Sequence, residues 1–176
     1  MGIRDEEIKR LIHYAKGLGV KVIIYNKINK DNDAEWTTDG SLIQLYCNSK
    51  TSKIDTILSL VHELGHHTWF IHEKDRQPDL KFDEAIVRQN LFETDDVKNP
   101  VPKHLRKKIL AVEIAGTGWW ESIYKDTNLK IPKWKLHAAM EFDIWMYEIY
   151  CESGHFPKGV VKKNKHKEIQ NKWRKS

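Results

Sequence analysis

Three residues, His62, Glu63 and His66, have the types and the spacing of a metal site that activates water. They belong to the run Val-His-Glu-Leu-Gly-His-His at residues 61–67. On an α-helix, side chains four residues apart lie about 40° apart and one turn apart along the axis, so both imidazoles can bind one ion. Glu63 projects beside them, where its carboxylate can take a proton from water. The pattern predicts a Zn²⁺ site for metal-assisted hydrolysis, with Glu63 as general base.

The predicted helix that carries this motif has one apolar face, and the motif lies at its edge. The apolar residues cluster within about 60° of one another, and His62 and His66 fall on the flank of that cluster. Gly65 lies in the middle of the apolar face, where a missing side chain lets another backbone come close. His67 points to the other side of the helix. We therefore expect His67 to be an exposed surface residue.

A catalytic zinc needs a third protein ligand and one open position. Glu113 is the strongest candidate on helical geometry, because it falls among apolar residues of the helical pattern that follows Pro102. A carboxylate at such a position is partly buried, and an unpaired buried carboxylate is costly. We therefore expect Glu113 to have a cation as its partner.

Other residues stay open as third ligands. His72 follows His66 with the histidine spacing of a longer zinc motif, but Trp69 stands where that motif has a helix-breaking glycine. A helix that continues through Trp69 carries His72 away from the ion. Glu84 is a further alternative, as are His137 and Asp126.

The elements that must position these residues follow from hydrophobic periodicity and from capping and turn residues. We expect, in chain order, a helix over residues 5–18, strands over 20–25 and 42–47, the motif helix from an N-cap at Ser52 to about Phe70, a helical pattern from Pro102 through Ile123, and a last helix after Pro132. We expect residues 73–101 to form a long charged excursion, which could close over a cleft. This order predicts an α+β fold.

The positive charge of the chain is concentrated at its end. Residues 158–176 contain eight Lys or Arg and one acid, a local charge of +7, whereas the whole chain carries +5. We expect residues 1–157 to form one domain and residues 158–176 a basic tail. The tail is either a solvated, partly disordered terminus or a binding site for nucleic acid or another acidic partner, with Trp173 stacking on bases.

Composition and segment lengths favour a cytoplasmic protein with no membrane partner. No apolar run approaches the roughly 18 residues that a membrane span needs, and the first ten residues are charged where a signal peptide is apolar. Cys47 and Cys151 lie more than a hundred residues apart, so neither a disulfide framework nor a cysteine metal site is expected.

The run at residues 51–67, TSKIDTILSLVHELGHH, follows a predicted strand and resembles the ImmA/IrrE family of zinc metallopeptidases, which is common in phages, mobile elements and bacteria. The likeness is specific over residues 42–67 and looser over 104–152. It implies a zincin-like fold of the gluzincin type and, for a small phage relative, the host cytoplasm as location. The sequence departs from the family pattern at Gly116-Thr117, where Ala-Trp is expected.

The resemblance also implies a function and a set of site residues. Zinc would bind His62, His66 and Glu113, and Glu63 would act as general base in a metallopeptidase, an endopeptidase that cleaves a protein or peptide substrate. From the residues alone, the strand at 42–47 could pair with an extended substrate at a sheet edge. Alternatives are a nucleic-acid-associated protein with a structural metal, a DNA-associated protease like the SprT group, and a hydrolase of non-peptide substrates.

Overall fold

The structure, a computed structural model, describes residues 5–27, 34–37, 40–47, 51–73 and 102–176. The chain divides into two compact units, residues 1–76 with 115–130, and residues 77–114 with 131–176. Most described residues are helical, and three strands form a small mixed sheet. The predicted α+β class is confirmed. The predicted boundary between residues 157 and 158 stays a prediction.

The sheet of the first unit consists of β1 (Lys21–Tyr25), β2 (Ala34–Trp36) and β3 (Leu42–Tyr46) in the order β1-β3-β2. β1 pairs with β3 in parallel, and β2 pairs with β3 antiparallel. β3 is thus the central strand, with neighbours on both sides. The prediction that residues 42–47 offer an edge to a substrate is wrong, because β2, which the sequence analysis missed, occupies that side.

Two helices of the first unit begin at capping residues. In α1 (Glu6–Gly17), the Asp5 carboxylate accepts a hydrogen bond from the amide of Glu7 at 2.9 Å. In α2 (Lys53–Glu73), the Ser52 hydroxyl accepts one from the amide of Asp55 at 3.1 Å. These contacts satisfy amides that have no partner within the helix. The predicted N-cap at Ser52 is confirmed, and α2 runs three residues beyond the predicted end.

The helical pattern after Pro102 forms two helices instead of one. α3 (Lys103–Thr117) ends near Gly118, and α4 (Trp120–Asp126) follows and packs against α2 within the first unit. The break falls where two glycines and a threonine, all weak helix formers, stand together at residues 116–118. The division between the units passes through α3, so its last residues from Ala115 onward belong to the first unit.

The second unit contains α5 (Lys133–Ser153) and α6 (Gly159–Arg174), which pack against each other. α5 begins after Pro132, as predicted, and ends at Gly154, whose φ of 81° is a left-handed conformation that glycine adopts readily. The possibility of a disordered basic tail is wrong for residues 159–174, which are helical. Among the described residues, no helix combines the length and the apolar character that crossing a membrane requires.

A buried carboxylate joins three segments of the first unit. Glu7 accepts a hydrogen bond from the backbone amide of Lys130 and forms an ion pair with Lys53, which also lies 2.8 Å from Asp5. Burial raises the pKa of Glu7, but the hydrogen bonds from Lys53 and Lys130 and the charge of Lys53 outweigh it and leave that pKa below its ordinary value. Ionised Glu7 therefore stabilises the folded unit.

Glu7→Gln should lower the free energy of unfolding at neutral pH by about 1 kcal/mol, because Gln can still accept from Lys130 but loses the charge that binds the half-exposed Lys53. The folded-state pKa of Glu7 is depressed, so its contribution is present above the unfolded pKa and is lost as the pH falls through the folded value. Urea unfolding from neutral pH to pH about 3 should show the difference from wild type shrinking.

Glu6→Gln is the matched control, since Glu6 stands in the same first turn but is 72% exposed and pairs with the exposed Lys9. Its cost should be within about 0.5 kcal/mol at every pH. An equal cost for both variants would contradict the role given to Glu7.

Candidate metal centre

Two glycines let the backbones of α2 and α3 approach closely within the first unit. A Cβ atom on Gly65 would lie 2.5 Å from the carbonyl oxygen of Gly116 and 2.9 Å from the indole ring of Trp120. A Cβ atom on Gly116 would lie 2.6 Å from Nδ1 of His66. Only glycine fits at either position without a shift of its neighbours. The expectation that Gly65 admits another backbone is confirmed.

His62 and His66 present their outer ring nitrogens to each other. The two Nε2 atoms are 3.1 Å apart, His66 is buried and His62 is half-buried. Two nitrogens bound to one tetrahedral zinc at about 2.0–2.1 Å would lie about 3.3 Å apart. The spacing is also that of a hydrogen bond in which one neutral ring donates to the other.

Glu113 lies close to this pair. It stands on α3 one turn before Gly116, so the contact of Gly116 with His66 brings Glu113 toward the same histidines. Its side chain is fully buried, and one ligand atom from each of His62, His66 and Glu113 falls within 4.8 Å of the others. In the part of the chain that the structure describes, no second group of three such residues meets this criterion.

His72 lies outside this cluster. Its ring stacks on Trp119, with centroids 5.4 Å apart, near the exposed end of α2. α2 continues through the buried Trp69 without the break that would return His72 to the other histidines. The helical argument against His72 therefore agrees with its position.

The remaining alternatives also fall outside the cluster. His137 packs edge-on against Trp173 in the second unit, with centroids 4.6 Å apart. Asp126 is exposed at the end of α4. Glu84 lies outside the described residues.

Glu63 follows His62 on α2 and is nearly buried, with 9% of its surface exposed. An aromatic ring lies next to His62: the buried Trp120 packs edge-on against it, with ring centroids 5.6 Å apart. Sequence reasoning missed Trp120 and Gly116 as parts of the site. The signal that pointed to them was Gly65, whose open position required a close neighbour on another element.

His67 corrects one expectation from the helical wheel. It is only 3% exposed, Nε2–H donates to the carbonyl oxygen of Leu18 at 3.1 Å, and its ring meets Trp36 edge-on. Burial lowers the pKa of His67 below its ordinary value and outweighs the hydrogen bond to Leu18, which raises it. Leu18 and Trp36 cover the side of α2 opposite its apolar face. The pattern of one helix cannot predict contacts made by other parts of the chain.

The donor set is two imidazoles and one carboxylate, which is one of the sets found at catalytic zinc sites. Neither the family models, nor the curated proteins, nor the solved structures gave a match to this chain. The case for a metal therefore rests on the chemistry and the geometry of these residues.

If His66 binds zinc, Gly116→Ala should weaken that binding by roughly 10- to 100-fold, the range typical of changes next to metal ligands, because the new methyl group displaces the ring of His66. A zinc titration against a chromophoric chelator measures this. Gly17→Ala is the matched control, since a Cβ atom there meets nothing within 4 Å. Unchanged zinc affinity in a folded Gly116→Ala protein would contradict the proposed position of His66 at the metal.

Proposed function

We propose that this chain is a zinc-dependent metallopeptidase in which His62, His66 and Glu113 hold the metal. The observation that supports this best is the meeting of two imidazole nitrogens, 3.1 Å apart, with a buried carboxylate inside a 4.8 Å group. A zinc ion held by these three protein ligands would keep one position open for water, as hydrolysis requires. Four protein ligands would instead indicate a structural ion.

Zinc supplies Lewis acidity, which lowers the pKa of a bound water toward about 7. The carboxylate of Glu63 accepts a proton from the water that attacks the peptide carbonyl carbon. It then gives that proton to the nitrogen of the leaving amine, so the products are a carboxylate and an amine. The low exposure of Glu63 keeps bulk water from competing for this proton.

The proposal includes three further points: the substrate is a peptide, the fold is zincin-like, and the chain is related to the ImmA/IrrE family. They are supported by the run at residues 51–67 and by its place on α2, which follows the sheet of an α+β unit. Within the described residues, β2 is the antiparallel edge of that sheet. We propose that an extended substrate pairs with the outer edge of β2, and not with residues 42–47 as the sequence suggested. The proposed location is the cytoplasm.

Glu63→Gln should keep zinc at wild-type stoichiometry while peptide cleavage falls by about 10²- to 10⁴-fold, the usual contribution of a general base. Mass spectrometry of a mixed peptide library, with metal analysis of the same sample, measures both. Glu148→Gln removes an exposed carboxylate elsewhere and serves as control. Cleavage that is unchanged in Glu63→Gln would refute the mechanism.

Glu113→Gln should lower zinc affinity by more than about a hundredfold, because a lost ligand costs more than a lost neighbour of a ligand. The amide retains the size of the buried side chain, which limits the effect on folding. His72→Ala should leave one zinc per chain, since His72 stacks on Trp119. Metal analysis of both variants after dialysis tests the ligand set. Loss of zinc in His72→Ala, with zinc retained in Glu113→Gln, would contradict the proposed ligand set and make His72 the third ligand.

A further inference from the structure

The basic end of the chain is a helix fixed on one side. Ile169 of α6 is buried, with 1% exposure, and α6 packs against α5. Glu141 of α5 accepts hydrogen bonds from Trp173 at 2.7 Å and from Lys172 at 2.6 Å. Burial raises the pKa of Glu141, but these two bonds and the nearby lysine charges lower it below its ordinary value. The outward side of α6 is thus held in one orientation on its neighbour.

Three basic side chains, Lys163, Lys167 and Arg174, form a straight stripe of hydrogen-bond donors along that outward side. Lys163, Lys167 and Arg174 fall within about 40° of one another around α6 and span a rise of about 16 Å. Gln170 lies in the same line, and the buried Ile169 lies about 120° away from Lys163. The three cations are exposed, and Arg174 also lies over the ring of Trp134. Lys165 and Lys172 of the same helix form ion pairs with Glu168 and Glu141.

The aromatic rings near the stripe are already engaged. The indole N–H of Trp173 is bonded to Glu141, and its ring meets His137 edge-on. The ring of Trp134 has the Arg174 guanidinium 4.8 Å and the Lys135 ammonium 5.5 Å from its centroid. Proteins that bind single strands combine cations with rings on which bases stack. These contacts do not favour the expected stacking of bases on Trp173. A duplex, whose bases are paired and need no aromatic ring to stack on, fits the stripe better than a single strand.

We propose that α6 binds duplex DNA by its phosphates through the stripe of Lys163, Lys167 and Arg174. The cations lie on a rigid helix, so little conformational entropy is lost when they meet a rigid array of negative charge. No element of the stripe reads a base, so binding is independent of sequence and depends strongly on salt. This inference does not rest on the peptidase proposal, because α5 and α6 contain none of the residues assigned to zinc or to proton transfer.

The test uses the full chain and a fluorescent duplex oligonucleotide, with anisotropy measured from about 50 to 200 mM salt. In the double variant Lys163→Gln/Lys167→Gln, the slope of log K against log salt should fall in magnitude by about 1.8, and affinity near 0.1 M salt should fall at least about tenfold. The matched control, Lys16→Gln/Lys125→Gln, removes two exposed lysines from the first unit and leaves the same net charge. It should bind like wild type.

Three outcomes would overturn the proposal. The first is absence of duplex binding at low salt, and the second is an equal loss in the control variant, which would make net charge alone responsible. The third is tighter binding of the matching single strand, or of an acidic polypeptide such as polyglutamate, than of the duplex. Circular dichroism checks that both variants keep the helical content of wild type. The readout is DNA binding alone, so its failure leaves the peptidase proposal standing.

Discussion

The candidate site depends on the close approach of two helix backbones at Gly65 and Gly116. Any side chain on Gly65 would collide with a carbonyl oxygen, and any on Gly116 with the ring of His66. The last turn of α3 therefore lies directly on the histidine face of α2. Glu113 stands three residues before Gly116 on α3, about 4.5 Å along the helix axis, and one of its carboxylate oxygens lies within 4.8 Å of a ring nitrogen of His62 and of His66. The space left by these two glycines thus lets residues from distant parts of the sequence, the two histidines and Glu113, come together.

The sequence predicted most of the fold because its signals are local. Capping residues, periodic apolar positions and β-branched runs act over a few residues, and α1, α2, β1, β3 and the start of α5 follow them. β2 is only three residues long and has too few positions to show alternation, so it forms through pairing with β3. The break between α3 and α4 was missed because periodicity continues across Gly118, although helix propensity does not.

The site was predictable to the extent that one helix determines it. Glu113 stood out because its own helix placed a carboxylate among apolar residues, and it is fully buried. His67 was assigned wrongly because a helical wheel shows where a side chain points and not what covers it. Leu18 and Trp36, from elements earlier in the chain, cover that side of α2. The same reasoning explains the error about β3, whose edge is occupied by a strand that no local signal marked.

A metal ion would also account for a carboxylate that is buried beside two histidines. A carboxylate with no exposed surface and a buried imidazole beside it are costly to desolvate, and a buried anion calls for positive charge close by. A divalent ion supplies that charge and at the same time binds the imidazole nitrogens, which in their neutral form cannot offer it. We therefore propose that one ion accounts for both the buried Glu113 and the paired rings, and three protein ligands would leave a further position for water.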